Sequence, residues 1–158
     1  MTVRVGSGFD VHPFSGDRTL VLGGVEIKGA RGLAGHSDAD VISHAISDAV
    51  LGAAGLGDIG SHFPDDDPRW LNARSVELLT QVCSMAEEAG WLVGNADCTV
   101  VLEEPRIFGY RAEMEAALSQ AVGAPVTVKA KRAEGLGALG RREGIACWAV
   151  VLLEQASS

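Results

Sequence analysis

The chain has too few cysteines for a disulfide framework. Its 158 residues contain three cysteines, Cys83, Cys98 and Cys147, which are widely separated and form no CxxC pair. This number and spacing argue against a disulfide-stapled secreted domain and against a cysteine zinc site. The first ten residues, MTVRVGSGFD, lack the apolar segment of a secretion signal, and no apolar run is long enough to span a bilayer. We expect a cytoplasmic protein with no membrane partner.

Aromatic residues and positive charge are also scarce. Aromatic residues make up 5% of the chain, so the core should consist of Val, Leu, Ile and Ala. With 13 Lys and Arg residues against 21 Asp and Glu residues, the formal net charge is −8. This charge argues against a nucleic-acid partner, because phosphate contacts need a basic face. A phosphorylated substrate remains open if its counter-charges are local or arrive as metal ions.

The apolar pattern predicts one α+β domain over residues 1–158. A first strand is expected at residues 2–9, and a hairpin is expected around Gly23 and Gly24. Later segments predict a helix, a second helix, a strand, a third helix and two strands, at residues 38–57, 72–90, 91–105, 110–123, 125–133 and 145–154. This order predicts a mixed β-sheet with helices packed on one face. A homo-oligomer would cover the other face.

The caps of the two long helices are predicted from the residues that precede them. Ser37 or Asp38 is the expected cap of the first helix, and Asn72 that of the second.

Only four histidines are present, and two of them lie beside carboxylates. Asp10 and His12 are two residues apart after the first strand, while Asp40, His44 and Asp48 recur every four residues on one face of the first helix. Such carboxylates can bind a divalent cation or hold the imidazole in one tautomer. Turn chemistry for Asp10 and His12, and an ordinary hydrogen-bonded histidine on the helix, remain simpler interpretations.

Three loop segments carry further polar groups. His36 and Ser37 precede the first helix, where free backbone N–H groups favour an anion, unless Ser37 merely caps the helix. The acidic loop with Asp58 and Asp65–Asp67 could hold sugar hydroxyls or a hydrated metal, or be solvated. The basic segment, residues 129–144, carries Lys129, Lys131, Arg132, Arg141 and Arg142 around Glu134. It indicates either a phosphate cradle with a carboxylate for Mg²⁺ or a charged edge strand.

Four segments together resemble a known enzyme family. They are GFDVHPF, LGGVEI, GHSDADVISHAISDAVLGAAGLGDIGSHFPDDDP and GRREGIA, and the resemblance extends from about Arg4 to about Leu153. The family is 2-C-methyl-D-erythritol 2,4-cyclodiphosphate synthase of the non-mevalonate isoprenoid pathway. The resemblance implies conversion of 4-diphosphocytidyl-2-C-methyl-D-erythritol 2-phosphate to the cyclic diphosphate, with release of CMP. It also implies a homotrimer whose sheets face the three-fold axis and whose active sites lie between subunits.

The resemblance further implies a set of site residues. Asp10, His12 and His44 would bind one Zn²⁺ per subunit, and Glu134 would bind Mg²⁺ or Mn²⁺ with the substrate diphosphate. His36 and Arg132 match positions that act on the phosphates. The implied substrate contacts are Ser37 before the first helix; Asp58, Ile59, Gly60, Phe63, Pro64, Asp65, Asp66 and Asp67 in the acidic loop; Leu102, Glu103, Glu104, Pro105, Arg106, Ile107 and Phe108 in the cytosine-reading segment; and Lys131, Ala133 and Arg141 in the basic segment.

One departure from the family bears on function. Lys131 and Arg132 stand where the family usually has two threonines, one of which contacts the phosphates. An arginine could make this contact more strongly than a threonine, or it could occlude the nucleotide. Three functions therefore stay open: the synthase, a related zinc-dependent phosphoester enzyme with another nucleotide preference, and a non-catalytic metal-binding trimer. Release of CMP from the cytidylated substrate distinguishes the first from the second.

Overall fold

The computed structural model describes residues 1–157 and contains one five-stranded sheet with helices. The strands are β1 (Val3–Leu22), β2 (Val25–Leu33), β3 (Trp91–Val101), β4 (Val126–Lys131) and β5 (Gly144–Gln155). The helices are α1 (Val41–Ala54), α2 (Ile59–His62), α3 (Ser75–Glu88), α4 (Arg111–Val122) and α5 (Gly137–Gly140), with 3₁₀ turns at Pro68–Trp70 and Phe108–Tyr110.

The sheet is mixed, as the sequence predicts. The strand order is β2-β1-β5-β3-β4, and only the β3–β4 pair is parallel. Helix α1 packs on β1 and β5, α3 packs on α1, and α4 packs on α3 and β4. The α+β prediction is therefore confirmed. Across residues 1–157, no helix combines the length and the apolar composition needed to cross a membrane.

Strand β1 is longer than predicted. Instead of a short strand and a separate hairpin arm, residues 3–22 are one extended segment that changes partner along its length. Residues 3–13 pair with β5, whereas residues 14–22 pair with β2 through irregular register between Ser15 and Leu20. Asp10 and His12 thus lie within a paired strand, not in a turn after it, and strand pairing fixes their direction.

Helix α1 lies unusually close to β1 because both elements present small residues at the crossing. Gly6 and Gly8 of β1 lie under Ala45 and Ala49 of α1, and a Cβ added at Gly8 would meet the carbonyl oxygen of Ala45 at 1.8 Å. Both glycines face the helix, as do Asp10 and His12 further along the same strand, because side chains two residues apart share a face. The helix backbone therefore lies directly beside the strand that bears the predicted ligands.

The predicted helix caps are wrong. Helix α1 is capped by Asp40, whose side chain accepts hydrogen bonds from the N–H groups of Ile42 and Ser43 at 3.1 and 3.3 Å. The same carboxylate also accepts the N–H groups of Gly23 and Gly24, both at 2.8 Å, and so ties the β1–β2 turn to the helix. Helix α3 begins after Arg74 without a side-chain cap of its own.

The face of the sheet opposite the helices is apolar and exposed. Its exposed apolar side chains on β1 and β5 retain between 47% and 68% of their accessible area, and they are Val3, Val5, Phe9, Val11, Trp148 and Val150. The rings of Phe9 and Trp148 pack together with centroids 4.7 Å apart. A contiguous apolar face of this kind is typical of a protein–protein interface.

Candidate metal centre and active site

Three predicted ligands converge where β1 passes α1. One ligand atom each from Asp10, His12 and His44 lies within 4.8 Å of the other two. The Oδ2 atom of Asp10 is 3.0 Å from Nε2 of His12 and 3.0 Å from Nδ1 of His44. The strand period brings Asp10 and His12 to one face, and α1 brings His44 opposite them. We call these three residues the metal cluster.

Electrostatics in the metal cluster favour a bound cation. Burial by itself raises the pKa of Asp10, but the hydrogen bonds and positive charge of His12 and His44 outweigh it and lower the pKa. Burial likewise lowers the pKa of His12, but the hydrogen bond and charge of Asp10 raise it overall. A positive charge shared by these groups is therefore stabilised, and a proton or a metal ion can supply it.

The orientation of His12 fits a metal ligand. Its Nδ1 is 2.6 Å from the carbonyl oxygen of Ala34, which can only accept, so Nδ1 carries the proton. In the neutral ring the lone pair then lies on Nε2, which faces Asp10. Two imidazole nitrogens and one carboxylate are the donor set of many catalytic zinc sites that keep a position open for substrate. The donor set therefore fits Zn²⁺.

A cavity of about 430 Å³ opens above the metal cluster. Its lining includes the loop before α1 and the acidic loop, with residues Gly35, His36, Ser37, Ile59, Gly60, Phe63, Pro64, Asp65, Asp66, Trp70 and Leu78. These two loops contribute many of the substrate contacts that the resemblance implies. The cavity is thus the natural place for a polar substrate that reaches the metal cluster.

The loop residues at the cavity are held by specific contacts. His36 donates from Nε2 to the carbonyl oxygen of Asp67 at 2.7 Å, which links the loop before α1 to the acidic loop. Asp58 caps α2 by accepting the N–H and hydroxyl of Ser61 on Oδ1 at 2.9 and 2.7 Å. Asp67 pairs with Arg69, and neither Asp58 nor Asp67 lines the cavity itself.

The two carboxylates predicted to flank His44 on its helix bind backbone N–H groups elsewhere. Asp40 is fully buried, and its carboxylate is occupied by the cap of α1 and the N–H groups of the Gly23–Gly24 turn. Asp48 accepts the backbone N–H of Ile59 at 2.8 Å and so positions the start of α2. The carboxylate that contacts His44 is Asp10 from the neighbouring strand. The fourth histidine, His62, donates to the carbonyl oxygen of Leu56 and belongs to the loop structure.

The second group of predicted site residues lies at the ends of β3 and β4. Glu103 is its centre: its side chain is 5% exposed, and it accepts hydrogen bonds from Arg132 at 3.2 Å and from the N–H of Gly135 at 3.4 Å. Partial burial raises the pKa of Glu103, but the hydrogen bonds from Gly135, Ala133 and Arg132 lower it overall. Glu103 therefore joins residues 102–108 to the basic segment.

Arg132 and Glu134 sit on the exposed side of this group. The side chain of Arg132 is 61% exposed while its guanidinium pairs with Glu103. Glu134 is exposed and has a φ of 55°, a left-handed conformation that turns the chain before Gly135. Arg141 is likewise exposed and pairs with Glu143 at 2.6 Å.

The two groups of predicted residues are not joined within one chain. None of residues 102–108 or 131–134 lines the cavity above the metal cluster. Among residues 1–157, the metal cluster is the one group of three possible ligands close enough to hold an ion, and Glu134 is not part of it. Each group is built within the chain, and a single chain does not bring the two into one cavity at the metal cluster.

Sequence reasoning missed two residues beside the metal cluster. Ser75, which is fully buried at the start of α3, has its Oγ 2.8 Å from Nε2 of His44 and also contacts Asp38. No local spacing predicts the contact between Ser75 and His44, because the two residues are 31 positions apart. Only the packing of α3 against α1 brings them together.

Comparisons with known proteins identify the family of this chain. The profile of the YgbB family matches residues 3–154. The chain is 49% identical to 2-C-methyl-D-erythritol 2,4-cyclodiphosphate synthase of Geobacillus thermodenitrificans, over 98% of this chain and 99% of that protein. It is 52% identical to the bifunctional enzyme IspD/IspF of Anaeromyxobacter dehalogenans, over 98% of this chain, which spans 41% of the length of that protein.

A solved structure shares the fold over nearly its whole length. The IspF–CDP complex of Plasmodium falciparum matches with a TM-score of 0.84 and 32% identity, over 98% of this chain and 97% of that chain. The family profile, the full-length relative and the common fold give the same answer: the chain belongs to the YgbB family.

Proposed function

We propose that this chain is a 2-C-methyl-D-erythritol 2,4-cyclodiphosphate synthase, a lyase that acts on a phosphorus–oxygen bond. It converts 4-diphosphocytidyl-2-C-methyl-D-erythritol 2-phosphate to the cyclic diphosphate and CMP. The convergence of Asp10, His12 and His44, in a chain whose full-length relative bears this name, carries the proposal. The CDP in the related Plasmodium falciparum structure supports a cytidine nucleotide as ligand.

The reaction needs positioning and charge compensation more than a strong base. A phosphate monoester is largely ionised near neutral pH, so an oxygen of the 2-phosphate is already nucleophilic. It attacks the β-phosphorus, and the bond from that phosphorus to the CMP oxygen breaks. Holding the two phosphates together contributes several kcal/mol to catalysis, and groups that offset negative charge stabilise the transition state.

Cations provide part of that compensation. Asp10, His12 and His44 would hold Zn²⁺, and Glu134 would hold Mg²⁺ or Mn²⁺ together with the substrate diphosphate. When bound, these ions polarise phosphorus–oxygen bonds as Lewis acids and offset charge. A chain with a net charge of −8 can therefore use a substrate that carries three phosphorus centres.

Side chains of the two cavity loops orient the substrate. His36 and Ser37 contact phosphate oxygens from the loop before α1. Asp58 and the backbone of Gly60 hold hydroxyl groups of the erythritol. Asp58 can do so because its cap of α2 uses Oδ1, whereas Oδ2 accepts no hydrogen bond from the described part of the chain.

The second group of residues binds the nucleotide. Backbone groups of residues 102–108 read the cytosine, and Arg106 adds positive charge beside it. Lys131 and Arg132 contact the phosphates in place of the usual threonines. The exposed side chain of Arg132 supports this role, because Glu103 holds its guanidinium at the protein surface.

A homotrimer would unite the two groups. The apolar face of β1 and β5, with Phe9, Trp148 and Val150 about half exposed, supports burial against other copies of this chain. In the proposed trimer the three sheets face the three-fold axis. Residues 102–108 and 131–134 of one subunit then reach the metal cluster of its neighbour. Heterologous contacts of this kind close into a ring.

³¹P NMR of the purified protein with Zn²⁺, Mg²⁺ and the cytidylated 2-phosphate substrate tests the proposal. Cyclic diphosphate and CMP should appear together, and neither should appear with the His44→Ala variant. About one zinc per chain should be bound. The second candidate is a zinc-dependent phosphoester enzyme with another nucleotide preference, and the observation behind it is that Lys131 and Arg132 replace the usual threonines. An unchanged spectrum from the zinc-loaded protein would favour this candidate or a non-catalytic trimer.

A further inference from the structure

We propose that Arg18 is a positioning residue that fixes residues 33–37, the segment that carries His36 and Ser37 at the cavity above the metal cluster. His36 and Ser37 line that cavity, whereas Arg18 does not. The inference rests on the proposed function, in which these two side chains contact substrate phosphates. The observation that carries it is one guanidinium that binds three carbonyl oxygens of the segment.

A bulge in the pairing of β1 with β2 directs Arg18 toward this segment. On β2, Arg31 and Gly32 follow one another, whereas their partners on β1 are separated by residues 16–18. Extra residues of this kind bend the strand and change the direction of its side chains. Gly32 leaves room for the bulge, because a Cβ added there would collide with the carbonyl oxygen of Arg18. The bulge therefore places Arg18 directly over the end of β2.

The guanidinium of Arg18 binds the carbonyl oxygens of alternate residues. Its Nη1 donates to the carbonyl oxygen of Leu33 at 3.3 Å and to that of Gly35 at 2.7 Å, and its Nη2 donates to that of Ser37. A guanidinium has five N–H donors in a rigid planar fork, so one side chain can serve several acceptors. Hydrogen bonds from a charged donor are also stronger than those between neutral groups. Arg18 therefore fixes the segment at both ends and in the middle.

The two remaining carbonyl oxygens of residues 33–37 are also bound. The oxygen of Ala34 lies 2.6 Å from Nδ1 of His12, and that of His36 accepts the N–H of Asn72 at 2.8 Å. Every carbonyl oxygen of the segment therefore has a partner within the chain, and three of the five depend on one side chain. Because the peptide unit is planar, a fixed carbonyl oxygen also fixes the orientation of its whole peptide plane.

Loss of the guanidinium would free the segment without removing any group from the cavity lining. Fixing a backbone residue in one conformation costs conformational entropy. In the wild type, folding meets that cost for residues 33–37, whereas without Arg18 substrate binding has to meet part of it. The cost is the same in the substrate complex and in the transition state, so it raises KM and leaves kcat nearly unchanged.

Steady-state kinetics of CMP release measure this effect. We expect Arg18→Ala to raise KM for the cytidylated substrate about tenfold with kcat nearly unchanged. Arg18→Lys should recover only part of the loss, because a compact ammonium lacks the planar fork that spans the three oxygens. Arg31→Ala is the matched control and should change neither constant. Arg31 is an exposed arginine of the neighbouring strand, and its guanidinium carbon lies 5.3 Å from the centre of the Phe14 ring.

A second measurement needs no substrate. Amide hydrogen exchange, followed by ¹H–¹⁵N NMR of the free protein, reports local opening of the segment. The N–H groups of Ala34, Asp38 and Asn72 donate to backbone carbonyl oxygens in or beside it, at 2.8, 3.0 and 2.8 Å. These three amides should exchange about tenfold faster in Arg18→Ala than in the wild type. Amides of β5 should exchange at the wild-type rate, which separates local opening from a general loss of stability.

The outcomes separate this inference from the proposed function. If the wild type releases no CMP yet the three amides respond to Arg18→Ala, the proposed function fails and the positioning of the segment by Arg18 stands. If KM and the three exchange rates are unchanged in Arg18→Ala, or if amides of β5 accelerate equally, the inference is overturned while the proposed function is untouched. A fall in kcat at constant KM would also overturn it, because Arg18 would then act in the chemical step.

Discussion

Replacement of Gly8 by alanine tests whether the close approach of α1 to β1 sets the geometry of the metal cluster. A Cβ at Gly8 would lie 1.8 Å from the carbonyl oxygen of Ala45, and real Cβ atoms do not come closer than 3.0 Å to such an atom. The strand and the helix would have to separate locally by about 1.2 Å. No flexible side chain can absorb this change, since the obstacle is helix backbone.

The separation would fall between the ligands. Asp10 follows Gly8 by two residues on β1, and His44 directly precedes Ala45 on α1. Metal–ligand bonds tolerate deviations of about 0.2 Å, so a shift six times larger takes His44 out of bonding distance. We expect Zn²⁺ affinity and kcat/KM to fall by about 100-fold or more. Overpacking should also lower the free energy of unfolding by about 1–3 kcal/mol.

Chelator competition measures the affinity, CMP release measures the activity, and urea unfolding measures the stability. Gly52→Ala is the matched control, because Gly52 lies on the exposed side of the same helix and nothing lies within 4 Å of the added Cβ. It should be neutral or stabilise the protein by up to about 1 kcal/mol. If Gly8→Ala binds Zn²⁺ as tightly as Gly52→Ala does, helix–strand spacing does not control the metal cluster.

Three further predictions follow from other parts of the structure. Val150→Glu places a charge on the apolar face, where Val150 is 51% exposed in a single chain. The proposed trimer should then dissociate, which light scattering measures, and CMP release should stop. Arg132→Ala removes a charge-assisted phosphate contact and should lower kcat/KM about tenfold. Asp40→Ala removes the cap of α1 and leaves the N–H groups of the Gly23–Gly24 turn unpaired, which should lower the free energy of unfolding by about 3–5 kcal/mol in urea.

Conservative changes control each of these experiments. Val150→Thr keeps the shape without a charge and should leave the trimer intact, whereas a trimer that survives Val150→Glu would exclude this face as the interface. Arg132→Thr should recover part of the lost activity, and an unchanged kcat/KM in Arg132→Ala would mean that the guanidinium does not contact substrate. Asp17→Ala, at an exposed carboxylate, should change the free energy of unfolding by less than about 0.5 kcal/mol; an equal effect at Asp40 would contradict its role as a cap.

Local sequence patterns predicted the parts of the fold that depend on local spacing. The period of two along a strand places Asp10 and His12 on one face, and helical spacing predicted α1 with His44 on it. The mixed α+β architecture followed from the order of strands and helices. The long shared motifs identified the family because they preserve both ligands and loops in register.

Tertiary structure decided which polar groups meet. The sequence placed Asp40 and Asp48 beside His44 by helical spacing, yet their carboxylates bind backbone N–H groups of distant turns, and Asp10 contacts the ring instead. The donors that a carboxylate can bind come from distant parts of the folded chain. Spacing along one helix therefore cannot predict which donor each carboxylate binds.

The packing of α3 on α1 and of α1 on β1 supplied what no local pattern contains. Ser75 reaches His44 because α3 begins beside the metal cluster, and Gly8 lies under Ala45 because two small surfaces meet. The sequence by itself determined which residues could bind a metal and on which elements they lie. The distances and supporting contacts that make them a site depend largely on contacts between residues more than 20 positions apart, which only the closed fold brings within hydrogen-bond range.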